Sequence, residues 1–194
     1  MKLYYSPGAC SLADHIALHE AGLDFEYEKV DLKTKRTEHD GDYAAINPKG
    51  YVPALTLDSG ETLSENIAIL DWIAQQAPAL APGGTMGRTH LLEALAFIST
   101  EIHKSFKPFF SGASDADKAK AAEVIAKRLG YLSDTMVGDY LFGPDVSVAD
   151  CYLFVMLLWS KKMGVEAPSY LVAFRDRMMA RPAVVEAMTH EGLI

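Results

Sequence analysis

The period of the hydrophobic pattern changes once along this chain, and that change constrains the fold more than any other feature. Up to Leu63, short alternating runs read as strands with a helical stretch among them, whereas beyond Gly84 only helical spacing remains. Between the two regimes lies Ala77-Pro78-Ala79-Leu80-Ala81-Pro82-Gly83-Gly84, whose prolines and glycines suit a linker. Two bodies are therefore expected in the 194 residues, an α/β domain over 1–80 and an all-helical domain over 87–194.

In the first body, Lys2–Tyr5 reads as a strand and Ser11–Ala21 as a helix, with Leu12, Ile16, Ala17 and Ala21 at helical spacing before Gly22. Phe25–Val30 alternates as a second strand, which completes a β-α-β unit. A charged stretch, Asp31–Asp42, precedes a helix-like piece ending at Asn47-Pro48-Lys49-Gly50. Val52–Leu57 and Glu61–Leu63 are strands around the turn Asp58-Ser59-Gly60, and Ser64–Gln76 is a helix with Ile67, Leu70 and Ile73 on one face. The second body reads as helices over Arg88–Lys107, Asp115–Val137, Ser147–Lys162 and Tyr170–Ala180, with a short one after Pro182. Ser147 and Asp150 form a capping box, flanked at the staple positions by Val146 and Cys151, so Cys151 is expected to be a packing residue.

Composition excludes several function classes. The only cysteines, Cys10 and Cys151, are far apart, and Met1-Lys2-Leu3-Tyr4-Tyr5 runs straight into a strand. Neither a disulfide scaffold nor a secretory leader is expected, and a cytoplasmic location follows. No apolar run reaches the roughly 18 to 20 residues needed to span a bilayer, so a soluble chain with no membrane partner is expected. The net charge of −8 argues against nucleic acid, and the first 81 residues hold 13 acids against 6 bases. An anionic ligand in that part would need specific donors against an average field that repels it. His15, His19, His39, His90, His103 and His190 are scattered; His15 and His19 are four apart but no third ligand is evident, so no metal is expected and they read as decoration of the first helix.

Tyr4-Tyr5-Ser6-Pro7-Gly8-Ala9-Cys10-Ser11 carries the clearest chemistry, because it sets a cysteine and a serine at the start of a helix. There the unpaired N–H groups and the positive end of the helix dipole favour a thiolate. A small cysteine simply packed against the turn is the equally open alternative.

Taken with Ile46-Asn47-Pro48-Lys49-Gly50, Val52-Pro53-Ala54-Leu55, Ser64-Glu65-Asn66-Ile67-Ala68-Ile69 and Ser147-Val148-Ala149-Asp150, that opening makes the whole chain resemble the cytosolic glutathione S-transferases, most closely the bacterial beta class. The resemblance implies a thioredoxin-like N-terminal domain that binds glutathione as co-substrate, a helical C-terminal domain that lines a site for a hydrophobic electrophile, and a homodimer. Cys10, Ser11, Tyr5 and His103 are the catalytic candidates it implies. The Asn66 amide and backbone N–H would hold the γ-glutamyl carboxylate at a helix start, and Glu65 would accept from the α-amino group. Tyr51, Val52 and Pro53 would bind the peptide, with Val52-Pro53 cis and Val52 a β-like partner for the cysteinyl backbone. Lys35 and Lys49 are the bases placed to meet the glycyl carboxylate. His103-Lys104 would face the cleft and favour thiolate, and Phe106, with Phe109, Phe110, Trp159 and Met163, would line an apolar pocket. Ala96 stands where the family has an Asn, which removes a contact expected across the dimer interface. The leading expectation is glutathione conjugation; thiol–disulfide exchange through Cys10, monothiol because position 13 is Ala13, and a non-enzymatic ligand-binding dimer are the alternatives.

Overall fold

A computed structural model describes residues 1–194, which form two compact units: Met1–Pro78 with Ala180–Ile194, and Ala79–Met179. In the first, β1 (Lys2–Tyr5), α1 (Leu12–Glu20) and β2 (Glu26–Asp31) make the expected β-α-β unit, with β1 and β2 parallel and Leu3 opposite Tyr27. A two-residue strand β3 (Arg36–Thr37) pairs antiparallel with β2 inside the stretch read as purely polar. The polar pattern hid it because only Thr37 is buried there. After α2 (Tyr43–Ile46), the hairpin β4 (Ala54–Thr56) and β5 (Thr62–Ser64) completes a mixed sheet of order β3-β2-β1-β4-β5, and α3 (Asn66–Gln76) follows.

Helix α1 is buried from Leu12 to Leu18, polar Asp14 and His15 included, because it is covered on more than one side. The sheet and α3 take part of its surface, and the last helix of the chain, α9 (Pro182–His190), takes another. Residues 180–194 thus pack with the first unit, so a second body running unbroken over 87–194 is not what forms. Contact across α1 outweighs chain order, since Ala183, Val184, Ala187 and Met188 bury one stripe of α9.

The second unit is helical: α4 (Gly87–Phe97), α5 (Lys107–Phe110), α6 (Asp115–Thr135), α7 (Val148–Met163) and α8 (Ser169–Met179). The helix expected over Arg88–Lys107 is not continuous. A π-helical turn over Ile98–Ile102 and a 3-10 turn over His103–Phe106 separate α4 from α5. Pro108 accounts for the 3-10 turn, since a proline lacks the N–H that would bond the carbonyl four residues back and its ring crowds that carbonyl. Lys107 N–H accordingly bonds Lys104 O, three residues back. The capping box forms as expected: Asp150, fully buried, accepts from Ser147 N–H (2.8 Å), Ser147 Oγ (2.6 Å) and Leu141 N–H (2.9 Å). Cys151 is buried, its thiol donating to Ser147 O at 3.6 Å. No helix is long and apolar enough to cross a membrane.

Candidate active site

The chain leaves β1 through a tight turn in which Ala9 N–H bonds Ser6 O at 2.9 Å and Gly8 takes φ +67, a conformation glycine adopts freely. Ser11 closes this turn. Its Oγ accepts from Ser6 N–H at 3.2 Å, and it is fully buried, so it shapes the loop rather than facing a substrate as a catalytic group. Cys10 sits one residue before Ser11, half-buried, with its thiol donating to Val52 O at 3.6 Å.

The N–H groups of Cys10 and Ser11 do favour a thiolate, as the helix-start argument requires, but burial outweighs them. Enclosure of the sulfur, reinforced by the nearby Asp14 and Glu65 carboxyls, pushes the Cys10 thiol up to about 12. The expected thiolate is therefore a protonated thiol at neutral pH.

Val52-Pro53 is cis, as the resemblance implies, and Val52 precedes the β4 ladder, which begins at Ala54. The loop ahead of it is pinned by Tyr43 Oη and Asn47 Nδ2, which both donate to Tyr51 O at 2.8 and 2.7 Å. Tyr51 itself is exposed, and its hydroxyl donates to Glu65 Oε1 at 2.6 Å. Lys49 Nζ reaches the same oxygen at 2.6 Å and Ser64 Oγ at 3.0 Å. Lys35 Nζ donates to Gly50 O at 2.6 Å, bracing the loop that carries Tyr51 and Val52. Glu65 has φ +79, a costly conformation for a side-chain-bearing residue, and such strain concentrates where function demands it.

Asn66 opens α3, so the N–H groups of its first turn have no intrahelical acceptor. The Asn66 side chain, however, points away from that role. Its Nδ2 donates to Cys10 O (2.9 Å) and to buried Asp14 Oδ2 (3.1 Å), so the amide expected to grip a carboxylate instead ties α3 to the start of α1. Burial pushes the Asp14 carboxyl well up, with Glu191 adding to the shift.

Tyr5 is not brought to Cys10. Tyr4 shares a buried cluster with Val52, Tyr43 and Ala54, and alternation along β1 turns Tyr5 to the opposite face. There its ring packs on His15 and Tyr27, and burial raises its hydroxyl to about 12.

His103, Lys104 and Phe106 belong to the second unit. His103 Nδ1 lies 2.5 Å from Tyr152 Oη, with the Trp159 ring edge-on at 5.0 Å. Burial, helped by the Lys104 charge, lowers this imidazole to about 4. It is thus neutral at pH 7, a hydrogen-bonding ring rather than the expected cation. Phe106 is fully buried and edge-on to Trp159 at 5.5 Å, so it backs the apolar surface, while Phe110, exposed and 5.0 Å from the same indole, fronts it.

A glutathione S-transferase N-terminal domain model matches residues 9–76, and a glutathione S-transferase C-terminal domain model matches residues 96–182. The chain is 42% identical over 200 residues to the glutathione S-transferase GstA of Escherichia coli O157:H7, covering all of both proteins. The chain belongs to the glutathione S-transferase family. Among solved transferases, it resembles a sphingomonad glutathione S-transferase complexed with glutathione (50% identity, TM-score 0.93, all of both chains) and the bacterial beta-class enzyme of Sphingomonas chungbukensis (48% identity, TM-score 0.93, all of both chains).

The transferase sequence concealed three functional-looking positions. Tyr152 meets His103 from 49 residues away, with nothing but helical periodicity to announce it. Glu191 lies 176 residues from His15, yet its Oε1 is 3.0 Å from His15 Nδ1 and its Oε2 accepts from Gly8 N–H at 2.8 Å. Burial holds that carboxyl up at about 8, the Gly8 N–H opposing. His190 completes the group of His15 and His19 for which no third member was evident in sequence; the three ligating atoms lie within 4.8 Å of one another. They form a cluster where α9 packs on α1, buried at His15 and half-buried at His19 and His190, rather than decorating α1.

Proposed function

We propose that the protein conjugates the thiolate of glutathione to hydrophobic electrophiles, holding glutathione on the first unit along Tyr51, Val52, Glu65 and the first turn of α3. The observation that carries this reading is the convergence of Cys10 on Val52 O and of Asn66 on Cys10 O, which sets a thiol, a loop backbone outside the sheet and a helix start side by side. The first turn of α3 supplies backbone donors for the γ-glutamyl carboxylate in a region whose net charge would otherwise repel it. Glu65, already receiving Lys49 and Tyr51, is the acceptor for the α-amino group, and Lys35 and Lys49 flank the glycyl end.

As a protonated thiol at neutral pH, Cys10 serves as a hydrogen-bond donor to the glutathione sulfur rather than as the nucleophile. This supports conjugation over thiol–disulfide exchange, which requires the Cys10 thiolate to attack. Within the second unit, Phe110 and Trp159 offer apolar surface of the kind a hydrophobic electrophile needs. A homodimer and a cytoplasmic, detoxifying role complete the proposal. Dimerisation is supported by exposed Tyr131 beside Phe97 on an apolar groove of about 420 Å³ in the second unit.

The test is the rate of glutathione conjugation to a chloronitrobenzene by the wild type and Cys10→Ala. Activity that survives the substitution within about tenfold supports a transferase whose nucleophile is the sulfur of glutathione. No conjugation by the wild type overturns the reading.

A further inference from the structure

Helices α1 and α9 come from opposite ends of the chain, and their facing surfaces bring three imidazoles together. His15 and His19 are four residues apart on one face of α1, and His190 ends α9. Their ring centroids are 5.2 to 5.7 Å apart, so no other side chain lies between them. His15 Nε2, His19 Nε2 and His190 Nδ1 are each buried and without a hydrogen-bond partner. Buried polar atoms are nearly always satisfied, so three orphans on three adjoining rings ask for a common ligand.

The remaining nitrogens show what kind of ligand. His15 Nδ1 lies 3.0 Å from Glu191 Oε1, and His19 Nδ1 lies 3.6 Å from Glu186 Oε2. A carboxyl group on one ring nitrogen, with the other nitrogen left free for an ion, is the arrangement that orients metal-bound histidines. We infer that His15, His19 and His190 bind a borderline divalent transition-metal cation, zinc foremost. Three imidazole nitrogens suit zinc, copper or nickel and disfavour calcium or magnesium, which take oxygen.

The ligating atoms, now within 4.8 Å, must close to about 3.4 Å for a tetrahedral ion at about 2.0 to 2.1 Å from each nitrogen. Small side-chain rotations span that difference. The Phe25 ring, 4.9 Å from His19, and the Tyr27 ring, stacked at 4.6 Å on His190, flank the site. The fourth position is left to water. The ion would fasten α9 to α1 and, because Glu191 also accepts from Gly8 N–H, would brace the turn that leads to Cys10.

The test uses the full-length protein, stripped with a chelator and titrated with zinc chloride by calorimetry in a non-chelating buffer. One ion per chain is expected, with a Kd of about 10 μM or tighter. His190→Gln and His15→Gln should each weaken binding by about thirtyfold or more, whereas Cys10→Ser should leave it unchanged. Co2+ in place of zinc should give the visible absorption of a four- or five-coordinate site, lost in His190→Gln. Circular dichroism and the melting temperature of the metal-free variants separate loss of ligand from loss of fold. The inference is overturned by no one-to-one binding in the wild type, by His190→Gln binding like the wild type, or by binding that disappears with Cys10 and not with His190. None of these readouts involves conjugation, so the result stands apart from the catalytic reading.

Discussion

Cys10 alkylation offers the sharpest test of how burial overrides the helix start. Its thiol is raised from an ordinary 9.0 to about 12, chiefly because the enclosed sulfur loses its hydration on ionising. At pH 8 an ordinary thiol is ionised to roughly one part in ten, and one titrating near 12 to roughly one in ten thousand, so thiolate is scarcer by about a thousandfold. Iodoacetamide reacts with the thiolate, and its rate at Cys10, followed by peptide mass spectrometry on the ligand-free protein, should be depressed by about that factor relative to a free thiol. Restricted access would also slow the reaction, but it would not move the pH dependence. The decisive reading is therefore the profile from pH 6 to 10, where the rate should climb about tenfold per pH unit without levelling. A plateau at or below about pH 9 would refute the argument, because it would mean that the N–H groups of Cys10 and Ser11 prevail over burial. Stability has a matching sign. The unfolded thiol ionises near 9.0 while the folded one holds its proton to about 12, so this contribution is present below pH 9 and declines as pH rises through that window. Cys10→Ala should flatten the alkaline loss.

Acid should act through the buried imidazoles. His15, His19 and His103 are each lowered from 6.5 to about 4 by burial, so the unfolded chain takes up protons first and stability falls as pH drops from 6.5 toward 4. Urea midpoints that stay constant across that window would contradict this. For His103 itself, the imidazole resonances should titrate with a midpoint near 4, and one above about 7 would restore the cationic reading. Asp150→Ala removes the acceptor for two backbone N–H groups and a hydroxyl in a fully buried place, and should cost about 3 kcal/mol in denaturant unfolding; a loss below about 1 kcal/mol would count against the cap as an anchor of α7. Glu65→Ala should raise the KM for glutathione about tenfold or more with kcat little changed, as expected for a group that binds ground and transition states alike; an unchanged KM would remove Glu65 from the site.

Much of the local structure was legible in the residues themselves. Helix starts and stops at Ser147, Gly22 and Pro182, the hairpin around Asp58-Ser59-Gly60 and the β-α-β opening depend on neighbours within a few positions, and all of them form. The motifs around Cys10, Val52-Pro53 and Glu65-Asn66 likewise pointed to one family, since loop chemistry is written in short segments. The helical pattern over Arg88–Lys107 reads as continuous, and the π-helical and 3-10 turns over 98–106 interrupt it without a mark in that pattern.

What depended on distant segments was decided only by packing. Electrostatics at Cys10 turned on how completely the sulfur is enclosed, a quantity that no position along a helix specifies. The Asn66 amide went to Asp14 and Cys10 O because α3 lies on α1, and Tyr5 went to His15 because strand alternation turned it from the face that holds Val52. The meeting of His15 and His19 with His190 and Glu191 required α9 to return from the far end of the chain onto α1. Short-range propensity determines which elements form; burial and contact between elements remote in sequence determine which side chains share an environment, and that environment sets their protonation and their ligands.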